Sequence, residues 1–221
     1  MIELKNVSKS FLMKNGESYK VLDNISCTFQ ADRKYAILGK NGSGKSTLIS
    51  LIAGIQKADK GSTITKNIKT SWPVGFGGNF QGSLTGRENL DFICRIFGKS
   101  GQDKKEIMEY CKSWTDLGKH FDEPIKQYSS GMKARLAFAA SMAFDFDFYL
   151  MDEVTSTGDM FFAKKAKQVL IEKLKDKGFI IVSHLIGDIA NICTDFGVMT
   201  NKKLIFYEKF EDAFKAYKGQ A

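Results

Sequence analysis

The sequence predicts an α/β fold built on a mostly parallel sheet, with an antiparallel β subdomain and a helical insertion. Short, wholly apolar runs at 36–38, 148–151 and 179–182 are typical of strands buried on both faces of a parallel sheet. Helical patterns follow these runs, and three further helical patterns in succession separate the first run from the second. We therefore predict a single domain over 1–221 with a helical subdomain at roughly 77–145.

The remaining elements follow from local patterns. Residues 2–7 alternate apolar and polar side chains, Asn15-Gly16 is a turn signal, and 21–29 indicates a further strand. A helical pattern starts at Gly44 and is expected to stop at Gly54. The other predicted elements are a glycine-rich loop at 72–86, helices at 87–97, 103–117 and 130–144, a lysine-rich helix, a short helix after 182, a hairpin at 198–206 and a terminal helix at 210–217.

Composition fits a globular chain that does not cross a membrane on its own. With 43% apolar and 26% charged residues, the 221-residue chain can bury a core and remain soluble. The first residues carry no secretory signal pattern, and the most apolar stretch, 179–198, is broken by polar residues such as Asp188 and Asp195. The four cysteines have neither metal-ligand nor redox spacing. The net charge of +8 suits nucleic acid, anionic lipid head groups or a nucleotide.

A glycine-rich segment after the run at 36–38 fits the phosphate-loop pattern G-x-x-x-x-G-K-[ST] in full. Its glycines let backbone N–H groups wrap a phosphate chain, and the following helix turns its positive end towards the anion. Lys45 is expected to bridge the β- and γ-phosphates, and the Ser46 hydroxyl to ligate Mg²⁺. This predicts a P-loop NTPase (RecA-like) core. The predicted nucleotide-binding residues here are Gly39, Lys40, Asn41, Gly42, Ser43, Gly44, Lys45, Ser46 and Thr47.

Two acids end the apolar run at 148–151. Carboxylates at the carboxyl end of a strand face the crevice in which open α/β sheets bind ligands. Asp152 is expected to hold Mg²⁺, and Glu153 to orient the attacking water and accept its proton. Taken alone, an apolar run followed by two acids also fits a surface turn. The phosphate loop in the same domain favours the catalytic interpretation.

Three further segments carry a resemblance to a known family. Residues 128–132, Tyr-Ser-Ser-Gly-Met, resemble the signature motif of ABC ATPases, and their small residues begin a predicted helix. Residues 152–159 are similar to the Walker B and D-loop run of that family, which implies that Asp159, at the D-loop aspartate, is a nucleotide-binding residue. Residues 180–184 are similar to its H-loop, which ends in His184. The resemblance covers essentially the whole chain.

The resemblance implies an ATPase that works as a pair. ATP and Mg²⁺ are the implied cofactors, with Lys45, Glu153 and His184 as the catalytic residues and His184 in contact with the γ-phosphate. In this family two domains pair head to tail, so that each ATP lies between one subunit's phosphate loop and the other subunit's signature. Ser129, Ser130 and Gly131 are accordingly expected to complete the site of a partner, and a homodimer is implied.

Four segments look like the branch of the family that exports capsular polysaccharide: 71–73, 80–86, 92–95 and 128–138. That branch is related to the exporters of O-antigen and teichoic acid. This resemblance implies a separate integral membrane permease. It also implies a glycan cargo that contacts mainly the permease, and a peripheral location on the cytoplasmic side of the cell (inner) membrane. The step to a glycan is analogy, because no residue chemistry in the sequence points to a sugar.

Two other function classes share part of the pattern. A soluble ABC-type ATPase acting on nucleic acid or ribosomes would suit the positive charge, but such proteins usually carry two ATPase units or a long coiled coil, and this chain has neither. A small-molecule kinase with the same phosphate loop would leave the signature-like segment and His184 unexplained. We therefore expect no nucleic-acid partner.

Two site assignments stay open in the sequence. The usual spacing of the family's Q-loop glutamine falls on Phe76, while the nearby glutamine is Gln81, so either Gln81 reaches the metal or that contact is missing. Phe11 stands where the family usually has the aromatic residue that stacks on adenine, and Tyr19, beyond an apparent turn, offers a second ring.

Overall fold

The computed structural model of the protein describes residues 1–74, 80–152, 160–182 and 192–219. The chain divides into two compact units. The core unit comprises Met1–Pro73, Phe146–Glu153 and Leu174–Ala221, and the helical unit comprises Val74–Asp145 and Val154–Lys173. The single domain with a helical subdomain that the sequence predicts stays a prediction.

Two sheets organise the strands. Within the described residues, the smaller sheet is antiparallel and has the order β2-β1-β4. It is made of β1 (Ile2–Leu12), β2 (Ser18–Phe29) and β4 (Thr63–Lys66). The larger sheet is made of β3 (Lys34–Leu38), β5 (Thr70–Val74), β6 (Phe148–Asp152), β7 (Gly178–Val182), β8 (Asp195–Thr200) and β9 (Lys203–Tyr207), in the order β5-β6-β7-β3-β8-β9. Strands β6, β7, β3 and β8 are parallel, and β9 is antiparallel to β8. The predicted α/β class, with a mostly parallel sheet and a separate antiparallel sheet, is confirmed.

Helix α1 (Lys45–Ala53) follows β3, a central strand of the sheet whose apolar residues are buried. The helix ends where the sequence predicts. Gly54 adopts a left-handed φ of 81°, and its N–H donates to the Leu51 carbonyl at 3.1 Å. The Lys66 ammonium donates to the Ile52 carbonyl at 3.1 Å, which places a cation at the negative end of the helix. Partial burial lowers the pKa of Lys66.

Four longer helices make up most of the helical unit. They are α2 (Gly86–Ile96), α3 (Gly101–Thr115), α4 (Ser130–Ala143) and α5 (Met160–Lys173). Two short 3₁₀ turns, Gly118–Asp122 and Ile125–Gln127, join α3 to α4. Helix α2 begins with a capping box, in which the Thr85 hydroxyl accepts from the Glu88 N–H and the Glu88 carboxylate accepts from the Thr85 N–H.

Aromatic rings pack against each other at both ends of the larger sheet. Helix α6 (Phe210–Lys218) packs on β8 through Phe210, whose ring centroid lies 5.4 Å from that of Phe196. At the other edge of the larger sheet, the Trp72 ring meets the Phe146 ring edge-on at 5.2 Å. The Ser71 hydroxyl accepts from the Leu150 N–H at 2.9 Å, which ties β5 to β6.

The structure corrects the sequence prediction in one region. Strands β4 and β5 are not predicted, and residues 72–74 lie in β5 rather than in the loop predicted over 72–86. Pro73 interrupts the hydrogen-bonding pattern of a strand, but β5 is the edge strand of the sheet, where proline is tolerated. The short helix predicted after Val182 lies outside the described residues.

No helix among the described residues is long and apolar enough to span a membrane.

Candidate active site

The phosphate loop joins β3 to α1 and depends on glycine at two positions. Gly42 and Gly44 have φ values of 77° and 101°, in the left-handed region that side chains disfavour. A Cβ atom on Gly44 would lie only 2.8 Å from the Leu22 side chain and 2.9 Å from that of Val21. The loop therefore holds its shape because these residues lack side chains.

Lys45 is drawn into the loop. Its side chain is 6% exposed, and its ammonium donates to the carbonyl of Gly39 at 2.6 Å and to that of Lys40 at 2.8 Å. Because a buried ammonium must have hydrogen-bond partners, these carbonyls fix the charge at the start of α1. A positive charge is thereby placed beside the segment that the sequence predicts to wrap a phosphate chain.

The residues of the loop fit the phosphates of a nucleotide. At the start of an α-helix, four backbone N–H groups have no carbonyl acceptor within the helix. In α1 these are the N–H groups of residues Gly44 to Thr47. The Ser43 hydroxyl is buried and has no hydrogen-bond partner among the described residues. A cavity of about 460 Å³ opens beside the loop and is lined by Val21, Asn41, Gly42, Gly44, Lys45, Ser46 and Thr47. The exposed start of a helix, a fixed cation and a cavity together suit an anionic group.

Asp152 ends β6 on the side of the sheet where β3 leads into the phosphate loop, at the carboxyl ends of the parallel strands. It pairs in register with Val182 of β7, and Val182 pairs with Ile37 of β3. Asp152 is therefore two strands away from Ile37, about 10 Å across the sheet, and the loop starts at Gly39. The hydroxyl of Ser46 and the carboxylate of Asp152 are hard oxygen donors of the kind that Mg²⁺ prefers.

Three predicted site residues lie outside the described residues: Glu153, Asp159 and His184. In the sequence Glu153 directly follows Asp152, and His184 comes two residues after Val182 at the end of β7. Strands β6 and β7 are parallel neighbours, and both end on the side of the sheet that carries the phosphate loop. Their roles stay predictions.

The signature-like segment lies at the N-terminus of α4 in the helical unit. Ser129 caps this helix, because its hydroxyl accepts from the Met132 N–H at 3.2 Å. Ser130 is the first helical residue and is exposed, and Gly131 follows it. The two serines therefore differ: Ser129 organises the helix start, whereas the Ser130 hydroxyl stands at an exposed positive helix end.

Gln81 lies in the turn before α2 and is held by its backbone. Its N–H donates to the Asn89 side-chain oxygen at 2.8 Å, and the Asn89 amide donates back to the Gln81 carbonyl at 3.1 Å. The Gln81 side chain is exposed and donates to the Ser83 hydroxyl at 3.4 Å. Its contact with a metal stays a prediction. Asn89, which directly follows the capping-box Glu88, holds the Gln81 backbone in place and is not predicted from the sequence.

Phe11 and Tyr19 are direct cross-strand partners in β1 and β2. They are 38% and 51% exposed, so both rings are open to a ligand. The Lys9 ammonium lies 5.1 Å from the Phe11 ring centroid, and the Lys202 ammonium lies 5.7 Å from that of Tyr19. The geometry places the two rings together and leaves both available for stacking.

Comparison with known proteins agrees with this arrangement. The family model described as ABC transporter matches residues 22–156. The chain is 42% identical to the polysialic acid transport ATP-binding protein KpsT of Escherichia coli, over 99% of this chain and 96% of that protein. It is 43% identical to the capsule polysaccharide export ATP-binding protein CtrD of Neisseria meningitidis serogroup B, over 98% of each.

A solved structure shares the fold. It is the dimeric ATP-binding cassette MJ0796 bound to ADP and Pi, with a TM-score of 0.77 and 22% identity over 94% of this chain and 98% of that one. The family match, the two full-length relatives, and the phosphate loop and Asp152 on one side of the sheet support the same assignment. The chain therefore belongs to the ABC transporter family, as one of its ATP-hydrolysing ATP-binding proteins.

Proposed function

We propose that this chain hydrolyses ATP to drive the export of a polysaccharide, most specifically a capsular polysaccharide, through a separate membrane permease. The ATPase half of the proposal is supported by the alignment of Asp152 with the phosphate loop at one edge of the sheet. The cargo is supported by the full-length similarity to proteins named for polysialic acid transport and capsule polysaccharide export.

The chain's residues divide the work of phosphoryl transfer. The loop N–H groups and the Lys45 ammonium hold the β- and γ-phosphates and offset the charge that develops on them. Ser46 and Asp152 would hold Mg²⁺, which would supply positive charge against the phosphates when bound. Glu153 orients a water and accepts its proton as the oxygen bonds to the γ-phosphorus and the bond to ADP breaks, while His184 contacts the γ-phosphate.

A second copy of the chain completes each site. The phosphate loop belongs to the core unit and the signature-like segment to the helical unit. In a head-to-tail homodimer, Ser130 and Gly131 of one copy contact the nucleotide held by the other, with Ser129 fixing the start of α4 and Asp159 contributing to nucleotide binding at the interface. ATP then stabilises the pair, and its hydrolysis lets the pair separate and act on the permease.

The permease is the expected membrane partner, and it places the chain on the cytoplasmic side of the cell (inner) membrane as a peripheral subunit. The glycan contacts mainly the permease, and nucleic acid is not a partner. A pull-down from cross-linked native membranes, treated with nuclease and analysed by mass spectrometry, tests this. We expect an integral membrane permease encoded with polysaccharide genes, together with glycolipid. Ribosomal proteins without a permease would contradict the exporter and leave the ATPase standing.

The exposed ring pair on the β1–β2 hairpin is proposed to stack on the adenine base. Base–aromatic stacking is worth about 1–3 kcal/mol, so removing the ring that stacks raises the KM for ATP about fivefold or more. Steady-state kinetics of Phe11→Ala and Tyr19→Ala identify that ring. Leu12→Ala, which removes a side chain that is 80% exposed on the same hairpin, is the control and leaves KM unchanged. Unchanged KM in both aromatic variants contradicts stacking.

A further inference from the structure

Three rings from three helices meet inside the helical unit and form what is called here the aromatic triad: Trp114 of α3, Phe138 of α4 and Phe162 of α5. The Trp114 and Phe138 rings are stacked with centroids 4.9 Å apart. The Phe162 ring stands edge-on to both, at 5.1 Å from Trp114 and 6.0 Å from Phe138. All three are buried, so the triad joins α3, α4 and α5 through an apolar contact.

Two cations reinforce this contact from opposite helices. The Arg135 guanidinium of α4 lies 5.6 Å from the Phe162 ring centroid of α5. The Lys165 ammonium of α5 lies 4.9 Å from the Trp114 ring centroid and donates to the Trp114 carbonyl at 3.3 Å. A planar guanidinium held over a ring is sensitive to the direction of both side chains. The Arg135–Phe162 pair therefore adds a directional contact between α4 and α5, and the Lys165–Trp114 pair adds one between α5 and α3.

These contacts lie close to the N-termini of α4 and α5. Arg135 lies in the second turn of α4, which begins at Ser130. Phe162 lies in the first turn of α5, which begins at Met160, the residue after Asp159. The two segments that are proposed to face a partner subunit thus lead directly into the two helices that the triad joins.

We infer that Arg135 and Phe162 are positioning residues that present the signature segment and the segment ending at Asp159 together to a second copy of this chain. A partner must meet both segments at once. If α4 and α5 moved independently, ordering them on association would cost conformational entropy and weaken the dimer. A contact that is already formed in the monomer avoids that cost. Because this inference rests on the proposed head-to-tail pairing, its test measures the pairing and the contact separately.

The test uses Arg135→Gln in a Glu153→Gln background, in which ATP is expected to hold the dimer together. Analytical ultracentrifugation over a range of protein concentrations gives the dimer Kd in saturating ATP. We expect Arg135→Gln to raise that Kd about twofold to thirtyfold, the range of a cation–π contact. The affinity of the dilute monomer for a fluorescent ATP analogue is expected to stay within about twofold, because the phosphate loop is intact.

Matched variants separate positioning from folding. Lys164→Gln removes one positive charge from an exposed position of α5 and is expected to leave the dimer Kd unchanged. Phe162→Leu keeps an apolar side chain but removes the ring, and it is expected to weaken the dimer as Arg135→Gln does. Thermal unfolding of each variant shows that the chain is folded at the assay temperature.

The outcomes are distinguishable. If both variants dimerise like their parent, or if they weaken ATP binding by the monomer as much as they weaken the dimer, Arg135 and Phe162 do not position the interface. If the Glu153→Gln parent itself stays monomeric in ATP, the proposed pairing is wrong, and the inference falls with it.

Discussion

Glu153→Gln is expected to remain a dimer in ATP while hydrolysing it about a hundredfold to ten-thousandfold more slowly than the unchanged chain. Glu153 follows Asp152 directly, at the carboxyl end of β6. An amide has the shape of the carboxylate but cannot accept the proton of the attacking water. ATP therefore persists between the two copies, and the pair does not separate. Size-exclusion chromatography with light scattering and a phosphate-release assay measure the two effects.

The control for this change is Glu172→Gln, which removes a charge from an exposed position of α5. It is expected to hydrolyse ATP at the normal rate and to form no lasting dimer. A monomeric Glu153→Gln chain in saturating ATP would argue against nucleotide-bridged pairing. Normal hydrolysis by that variant would show that another group accepts the proton.

Lys45→Ala is expected to reduce ATP hydrolysis at least about a hundredfold. The change removes the buried cation and leaves the Gly39 and Lys40 carbonyls without the ammonium to which they are bound. Both the charge that offsets the γ-phosphate and a contact that shapes the loop are lost. Steady-state phosphate release gives kcat, and titration with a fluorescent ATP analogue gives the loss of binding.

Lys60→Ala serves as the matched control, because it makes the same substitution at an exposed lysine outside the loop. It is expected to retain the kcat and KM of the unchanged chain. The assignment of Lys45 would be overturned by a Lys45→Ala chain whose kcat falls less than about tenfold, since loss of a preorganised cation from phosphoryl transfer has a larger effect.

Elements with strong periodicity could be predicted from the sequence. The apolar stripe at 130–144 corresponds to α4 at Ser130–Ala143, and the apolar run at 36–38 lies within β3. Strand β4 was overlooked because it is short, largely polar and mostly exposed, so neither alternation nor an apolar run marks it. Its partner on one side is β1, and pairing with a distant strand decides its conformation.

The candidate site was predictable where its residues are contiguous. The phosphate loop is one unbroken segment, and Asp152 follows an apolar run, so strand order alone brings both to one edge of the sheet. The aromatic triad was not predictable, because its rings come from three separate helices and no local pattern links them. The pairing of Phe11 with Tyr19 depends on register, which the irregularities in the β1–β2 ladder shift along the strands.

The chain's two tryptophans are divided between its two units: Trp72 lies in the core unit and Trp114 in the helical unit. Trp114 is 8% exposed and packs against Phe138 and Phe162, whereas Trp72 is partly exposed beside Phe146. Their surroundings differ in polarity, and so will their emission spectra. The protein thus carries one native optical probe in each unit, and single-tryptophan versions report how each unit unfolds without any attached dye.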